Sequence, residues 1–235
     1  IPELYFAIFG CLKLGAIVAP LFSAFGPEPI RERVQRAEGS VIVTTPTSLL
    51  AQEQIRFLPA LPPAFITAFE DVPLGATAKV FLRMLPGMLP HEGTVHFVRT
   101  QSSADIGSYA TRPAGHEVLL AYFGGPLARD LELRGELEAF ARDELGQMFG
   151  ADFLRGIEQT LTTSWVSDAW AQGCYSYAKP GRARMREQLN EPLNDRVFLA
   201  GEACSIHQFG TIHGAWHSGV AAAERAMELL GSPQT

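Results

Sequence analysis

Short apolar runs recur along the chain, separated by segments rich in glycine, proline or charge. Such runs indicate strands, in which side chains point to opposite faces in turn and apolar or alternating patterns are typical. The pattern predicts strands at residues 16–21, 41–45, 79–83, 94–99, 117–123, 157–165 and 197–200.

Helical periodicity occupies the segments between these runs. Apolar residues three or four positions apart predict helices at residues 4–15, 30–37 and 131–149, and a last helix that runs through Ala221 to Leu230. Gly150 is expected to end the third helix. Consecutive strands followed by helices favour an α+β region, whereas the final strand and helix indicate a return to α/β organisation. The apolar face of the third helix is predicted to consist of Leu137, Phe140, Ala141, Leu145 and Met148.

Composition narrows the class of protein. The chain has 235 residues, 47% hydrophobic and 19% charged, with a net charge of -6, which is typical of a globular protein with a core. Its arginines are dispersed and no basic run attracts nucleic acid. Three widely spaced cysteines form neither a disulfide framework nor a metal site, so a reducing, cytoplasmic compartment is expected. Glu3, Lys13 and two prolines interrupt the apolar residues 1–20, which argues against a membrane segment.

The most informative segment combines a strand, a loop and the start of a helix. An apolar run at residues 197–200 ends at Gly201 and Glu202, and a glycine-rich turn at residues 210–215 opens the last helix. The first turn of a helix presents unpaired N–H groups and partial positive charge, which suit a phosphate or an electron-rich ring edge. This order of residues resembles the C-terminal flavin-binding signature of flavin-dependent amine oxidases, of the monoamine and polyamine oxidase type.

The resemblance implies which residues contact the cofactor, FAD. Gly201 and Glu202 would lie at its pyrophosphate and ribityl chain, and the N–H of Ile212 would stabilise negative charge on the reduced ring. Cys174 matches the register of the flavin-linking cysteine of animal monoamine oxidases, so covalent and non-covalent attachment both stay open. The implied cofactor contacts are Gly201, Glu202, Ala203, Gly210, Thr211, Ile212 and Cys174.

Two other segments resemble the amine site of the same family. The family places a lysine at Lys79, where it would hold a water at flavin N5 and assist electron transfer to oxygen; a snorkelling strand lysine is the alternative. Residues 165–177 resemble the segment whose aromatic side chains line the flavin, although a core cluster of aromatics is also open. The implied catalytic residues are Lys79, Tyr175 and Trp165. The implied substrate contacts are Tyr175, Trp170 and Thr211, the last in place of a second tyrosine.

The N-terminal residues have a different character. Residues 2–5 and 14–26 resemble a fragment of acetyl-CoA synthetase, of the adenylate-forming family, but the phosphate loop and catalytic lysine region of that family are absent. Strand 41–45 fits both families, so a natural fusion, a chimera and an assembly error all stay open. The predicted division is a synthetase-like part at residues 1–40, a substrate-domain portion at 41–190 and the C-terminal part of an FAD-binding domain at 191–235.

The Gly-x-Gly-x-x-Gly fingerprint that opens such enzymes is missing from the sequence. The predicted fold is therefore a mixture of α/β and α+β. It combines an incomplete Rossmann-like FAD-binding domain, which lacks its N-terminal βαβ unit, with a substrate domain of mixed β-sheet and helices. We expect the isolated chain to bind FAD weakly or not at all. An N-terminal FAD-binding half supplied in trans and a homo-oligomer are both open.

The resemblance implies FAD-dependent oxidation of a small-molecule amine to an imine and then an aldehyde, with oxygen consumed and hydrogen peroxide released. The alternatives are a non-catalytic truncated or fused fragment and, more distantly, a remnant of an acyl-CoA ligase. Retention of yellow colour after incubation with FAD, and amine-dependent peroxide release, would separate these hypotheses.

Overall fold

The computed structural model describes residues 41–43, 45–55, 57, 59–89, 92–99 and 105–231. The elements predicted within residues 1–40 lie outside this part of the chain. In chain order the helices and strands are β1 (Val41–Val43), α1 (Thr47–Ala51), α2 (Pro63–Asp71), β2 (Thr77–Met84), β3 (His96–Val98), β4 (Ser108–Thr111), β5 (Val118–Gly124), α3 (Gly125–Arg134), α4 (Leu137–Phe149), α5 (Ala151–Leu154), β6 (Ile157–Thr162), α6 (Met185–Leu189), β7 (Val197–Leu199) and α7 (Ile212–Gly231).

By their contacts these elements form two compact units. The central unit is Gly75–Cys174, and the flanking unit consists of the described residues up to Leu74 together with those from Tyr175 onwards. The predicted boundaries at residues 40 and 190 differ from these, which fall after residues 74 and 174. The predicted division into three parts stays a prediction.

The central unit is built on a five-stranded sheet in the order β3-β4-β5-β2-β6. All four pairings are antiparallel. Alternate residues of β2, including Val80 and Leu82, are fully buried, whereas Lys79 and Phe81 lie on the opposite face. The buried face packs against α4, so this unit has a core on one side of the sheet.

The single helix predicted at residues 131–149 is wrong. Two helices, α3 and α4, occupy the segment, and Gly135 separates them with a φ of 70°. Glycine adopts this left-handed conformation without steric cost, so it ends α3. The predicted apolar face is confirmed in α4, where Leu137, Ala141 and Leu145 are buried. Gly150 follows α4 with a φ of 85°.

The flanking unit contains a parallel strand pair and a long helix. Strand β1 pairs with β7 in the register Val41↔Val197. Helix α7 places Ala222 and Ala226 against Phe198 of β7, and small side chains allow this close approach. Helix α2 starts with Pro63 in its first turn, where proline costs no hydrogen bond. The helix packs Phe69 into an apolar cluster of this unit that is separate from the cluster around Phe198. The parallel pair and helix agree with the predicted α/β organisation.

None of the helices in the described residues is both long enough and apolar enough to cross a lipid bilayer.

Candidate functional site

The loop between β7 and α7 has a backbone that requires glycine at two positions. Gly201 has φ 143° and ψ 176°, a region that is essentially closed to other residues. Gly210 has a φ of 68° and lies two residues before Ile212, the first residue of α7. The amide of Gly201 donates to the hydroxyl of Ser218 on α7 at 3.3 Å. The two glycines and the hydrogen bond to Ser218 therefore fix the backbone path of this loop.

The carboxylate of Glu202 organises the loop from within. Its Oε1 accepts the backbone N–H of Ser176 at 2.7 Å, and its Oε2 accepts the Ser176 hydroxyl at 2.9 Å. The same Oε2 accepts the backbone N–H of Gly210 at 2.6 Å. Hydrogen bonds to a charged acceptor are stronger than neutral ones, so Glu202 ties the Tyr175–Ser176 segment to the turn before α7.

A buried arginine supports this carboxylate. Arg186 of α6 is 1% exposed, and its Nη1 donates to the Ser176 hydroxyl at 2.8 Å and to the carbonyl of Ala203 at 2.7 Å. Burial lowers the pKa of Arg186, and the charge of Glu202 acts in the opposite direction. The guanidinium also lies 4.4 Å from the ring centroid of Phe209.

The first turn of α7 is capped by Thr211 and left partly open. The Thr211 hydroxyl donates to the carbonyl of Gln208 at 2.5 Å and accepts the N–H of Gly214 at 3.0 Å. The N–H groups of Ile212 and His213 donate to no described residue. Ile212 is 53% exposed. This end of the helix therefore offers donors beside an apolar side chain.

Tyr175 lies beside this turn. A Cβ atom on Gly210 would stand 3.6 Å from the Tyr175 ring, which is ordinary van der Waals contact. The ring remains 45% exposed, so it is not a core side chain. The flanking unit thus brings Tyr175 together with Glu202, Gly210 and the start of α7.

The central unit holds Lys79 and Cys174 on one face of β2. The backbone N–H of Lys79 donates to the Thr163 hydroxyl at 2.9 Å, while its side chain is half-buried. The sulfur of Cys174 accepts the Thr77 hydroxyl at 2.6 Å and donates to the Thr77 carbonyl at 3.1 Å. Thr77 and Lys79 are two residues apart in one strand, so their side chains leave from the same face.

The two predicted tryptophans of the central unit are exposed, Trp165 to 40% and Trp170 to 53%. Their loop is held by hydrogen bonds as well as by the packing of Val166 against the core. Glu132 of α3 accepts both the N–H of Ser167 at 2.7 Å and its hydroxyl at 2.9 Å. Asp168 accepts the N–H groups of Trp170 and of the residue after it. The alternative of a core cluster of aromatics does not fit these exposures.

The fold has a counterpart among solved structures, and the sequence defines the class of protein. The solved structure of cyclohexylamine oxidase from Brevibacterium oxydans IH-35A matches 81% of this chain and 43% of its own with a TM-score of 0.59, at 23% identity. The model of the flavin containing amine oxidoreductase family matches residues 31–227, and the chain belongs to that family. The predicted family and the predicted mixed fold are confirmed.

Curated relatives agree with this assignment. Probable polyamine oxidase 4 of Arabidopsis thaliana is 32% identical over 196 residues, which are 81% of this chain and 39% of the relative. The chain thus spans about two fifths of the length of the polyamine oxidases that it matches. Acetyl-coenzyme A synthetase of Bacillus subtilis (strain 168) is 42% identical over 69 residues, which are 29% of this chain and 12% of the synthetase.

Members of this family bind FAD, and the residues of the flanking unit fit such a group. The two N–H groups at the start of α7 lack acceptors among the described residues, and a flavin offers ring oxygens. Gly214 keeps this turn in place. A Cβ atom at this position would stand 2.0 Å from the carbonyl oxygen of Gln208 and would displace the turn.

Sequence reasoning missed the polar residues that hold the site. Arg186, Ser176, Glu132 and Ser167 were not predicted to act there. No local pattern marks them, since Arg186 lies in a short charged helix and its partners are 10 to 17 residues away. The pairing of each serine with a distant carboxylate is visible only in three dimensions.

Proposed function

We propose that this chain carries the flavin-facing and amine-facing residues of an FAD-dependent amine oxidase. It would oxidise a small-molecule amine to an imine, which hydrolyses to an aldehyde, with oxygen reduced to hydrogen peroxide. One observation carries the proposal. In a chain of this family, the Glu202-held loop places Tyr175 beside a helix start whose N–H groups at Ile212 and His213 have no described acceptor.

The flanking residues would hold the cofactor. The N–H of Ile212 would donate to the pyrimidine oxygen of the flavin, and Gly210 and Thr211 would keep side-chain bulk away from the ring. Gly201, Glu202 and Ala203 would follow the ribityl chain and pyrophosphate. When bound, FAD would take a hydride from the α-carbon of the amine and pass two electrons to oxygen.

The central residues would shape the amine side. Lys79 would orient a water near the flavin, and its half-buried side chain makes no ion pair or hydrogen bond within the described residues. Phe81, two residues on, faces Leu120 and Leu161 across the strands of the same sheet face. This apolar row would exclude water and favour a neutral amine beside Lys79. Tyr175, Trp165 and Trp170 would supply aromatic walls, and Thr211 would leave room for an extended amine.

Attachment of the flavin through Cys174 stays a prediction. The sulfur would have to leave its hydrogen bonds with Thr77 in order to form a thioether. After acid precipitation, a covalent flavin stays with the protein pellet of the parent chain and is released from a Cys174→Ala variant. Flavin that enters the supernatant in both cases identifies non-covalent binding.

The test measures flavin binding before amine oxidation. The full chain is titrated with FAD by flavin fluorescence, and a weak, saturable complex that is lost on desalting is expected. A tightly bound, stoichiometric flavin would overturn the expectation that the chain binds FAD weakly or not at all. Absence of any complex would agree with that expectation and would decide for the alternative of a non-catalytic fragment, against the proposed function. Peroxide release is then measured with saturating FAD and a panel containing cyclohexylamine and a polyamine.

The Lys79→Met variant tests the role of Lys79 in the reaction of reduced flavin with oxygen. We expect unchanged FAD binding and a reoxidation of reduced flavin by oxygen that is slower by about tenfold or more. Lys179→Met is the matched control, since Lys179 is an exposed lysine whose ammonium pairs with Asp71 at 3.5 Å. Equal reoxidation rates in both variants would refute the role of Lys79.

A further inference from the structure

We propose that Arg186 is a positioning residue, which acts through Ser176 and Glu202 to set the place of Tyr175 and of the turn that begins α7. The inference rests on the proposed function, because it assigns a role toward the flavin-facing residues. Arg186 itself is not expected to contact flavin or amine. Its side chain is almost fully buried beneath the loop that it supports.

The direction of the hydrogen bonds in this network is fixed. An arginine can only donate, so the Ser176 hydroxyl accepts from Arg186 at 2.8 Å. The one hydroxyl hydrogen of Ser176 is then available for Glu202, which accepts it at 2.9 Å. A buried guanidinium thereby reaches its counter-charge through one serine, without direct contact.

The position of Gly210 depends on this relay. The oxygen of Glu202 that accepts the Ser176 hydroxyl is the same Oε2 that accepts the Gly210 N–H at 2.6 Å. If Ser176 turned away, the carboxylate would lose the bond that orients it toward Gly210. Tyr175 precedes Ser176 directly, and its ring lies 3.6 Å from the place that a Cβ on Gly210 would occupy, so both flavin-facing elements follow the same carboxylate.

Arg186 also reaches the turn from its other side. Its guanidinium lies 4.4 Å from the centre of the Phe209 ring, one residue before Gly210. It further holds the Ala203 carbonyl, one residue after Glu202, at 2.7 Å. Three points of the loop system, at residues 176, 203 and 209, therefore meet on one planar group.

The test compares Arg186→Met with the parent chain by amide hydrogen exchange, which needs no flavin. We expect exchange at Ser176 and Gly210 to accelerate by about tenfold or more, because a charge-assisted link is lost. Exchange at Phe198 and Leu199 of β7 is expected to stay unchanged. Equal acceleration at all four amides would identify a purely structural role, and no change at Gly210 would refute the relay.

Three further variants sharpen the result. Arg225→Met is the matched control, since Arg225 is an exposed arginine of the same unit that pairs with Glu191; it should leave Gly210 exchange unaltered. Ser176→Ala should accelerate Gly210 exchange without adding to the effect of Arg186→Met, and additive effects would contradict a single relay. If Arg186→Met fails to fold, Phe209→Leu removes the ring contact without stranding a charge, and faster exchange at Gly210 is again expected.

The flavin arm separates this inference from the proposed function. In the parent chain and in the Arg225→Met control, FAD affinity should be equal, whereas Arg186→Met should weaken it by about tenfold. If FAD binds neither variant nor parent, the proposed function fails, and amide exchange alone still decides the positioning role. If FAD affinity is unaltered in Arg186→Met while Gly210 exchange rises, Arg186 positions the loop as inferred, but the loop does not hold the flavin, which overturns the placement of the cofactor in the proposed function.

Discussion

Replacement of Gly214 by alanine tests the local geometry on which the site depends. Alanine normally stabilises a helix by about 1 kcal/mol relative to glycine. At Gly214, however, the new Cβ would stand 2.0 Å from the carbonyl oxygen of Gln208, and real Cβ atoms almost never come within 3.0 Å of another heavy atom. The carbonyl must therefore retreat by about 1 Å or more.

The size of the effect follows from the bonds that this movement breaks. The Gln208 carbonyl accepts the Thr211 hydroxyl at 2.5 Å, and that hydroxyl caps the N–H of Gly214. Loss of the hydroxyl bond costs about 1 kcal/mol, and loss of the cap costs about 1 kcal/mol more. After subtraction of the helix gain, Gly214→Ala should destabilise the flanking unit by about 1 kcal/mol.

Gly146→Ala is the control, because Gly146 also lies in a helix but meets only the flexible end of Leu154, at 3.1 Å. This variant should be neutral or stabilising by up to about 1 kcal/mol. Urea unfolding measures the change in the free energy of unfolding. Amide exchange in α4 and α7 assigns that change to the unit that contains the substituted glycine. If Gly214→Ala stabilises α7 as much as Gly146→Ala stabilises α4, the Gln208 carbonyl does not close the helix start, and the geometry proposed for the flavin turn is refuted.

Three other predictions concern the cores. Leu145→Ala should cost about 2–5 kcal/mol in urea unfolding because Leu145 is fully buried, whereas Leu161→Ala, at a side chain 66% exposed, should cost far less. Burial raises the pKa of the Cys204 thiol from 9.0 to about 12, so the folded chain keeps a proton that the unfolded chain releases. Stability should therefore fall as the pH rises from about 9 towards 12, and that slope should shrink in Cys204→Ala. Tyr109→Phe should destabilise by about 1–3 kcal/mol in thermal unfolding, because it removes a 2.6 Å hydrogen bond from the buried carboxylate of Glu144.

The elements that the sequence predicts are those whose periodicity is set by one buried face. Strand β2 and helix α4 each have such a face, and their apolar positions at Val80, Leu82 and Leu145 are buried as expected. The pair of β7 and α7 was predicted from a short apolar run and from the glycine-rich turn that opens the helix. In these segments local pattern and tertiary packing demand the same conformation, so one sequence is enough to identify them.

Other elements carry no such pattern. Strand β4 has three consecutive buried residues after an exposed one, so it lacks the alternation of buried and exposed positions that marks a strand in a sequence. Helix α2 begins directly after Pro62, in a segment that reads as a loop. The break at Gly135 was overlooked since a single glycine is tolerated inside helices, and only the left-handed backbone shows that it ends α3.

The residues of the site divide in the same way. Gly201, Gly210 and the aromatic segment at residues 165–177 were singled out because their order in the sequence resembles that of flavin amine oxidases, and their roles stay predictions. Arg186 and Glu132, which hold these segments in place, were not predicted. Their partners lie 10 and 35 residues away along the chain, and no local sequence pattern links them.

Each unit fastens its exposed aromatic side chains by the same arrangement, a glutamate that takes both the backbone N–H and the hydroxyl of one serine. In the central unit Glu132 binds Ser167, two residues after Trp165. In the flanking unit Glu202 binds Ser176, directly after Tyr175. An aromatic ring that must face a ligand cannot be held by burial in a core, so its backbone has to be fixed by polar contacts beside it. Two hydrogen bonds from one residue to one charged group fix both position and orientation, which the approach of a substrate to a cofactor demands. The cost is a buried or half-buried carboxylate in each unit, and the hydrogen bonds from each serine offset that cost.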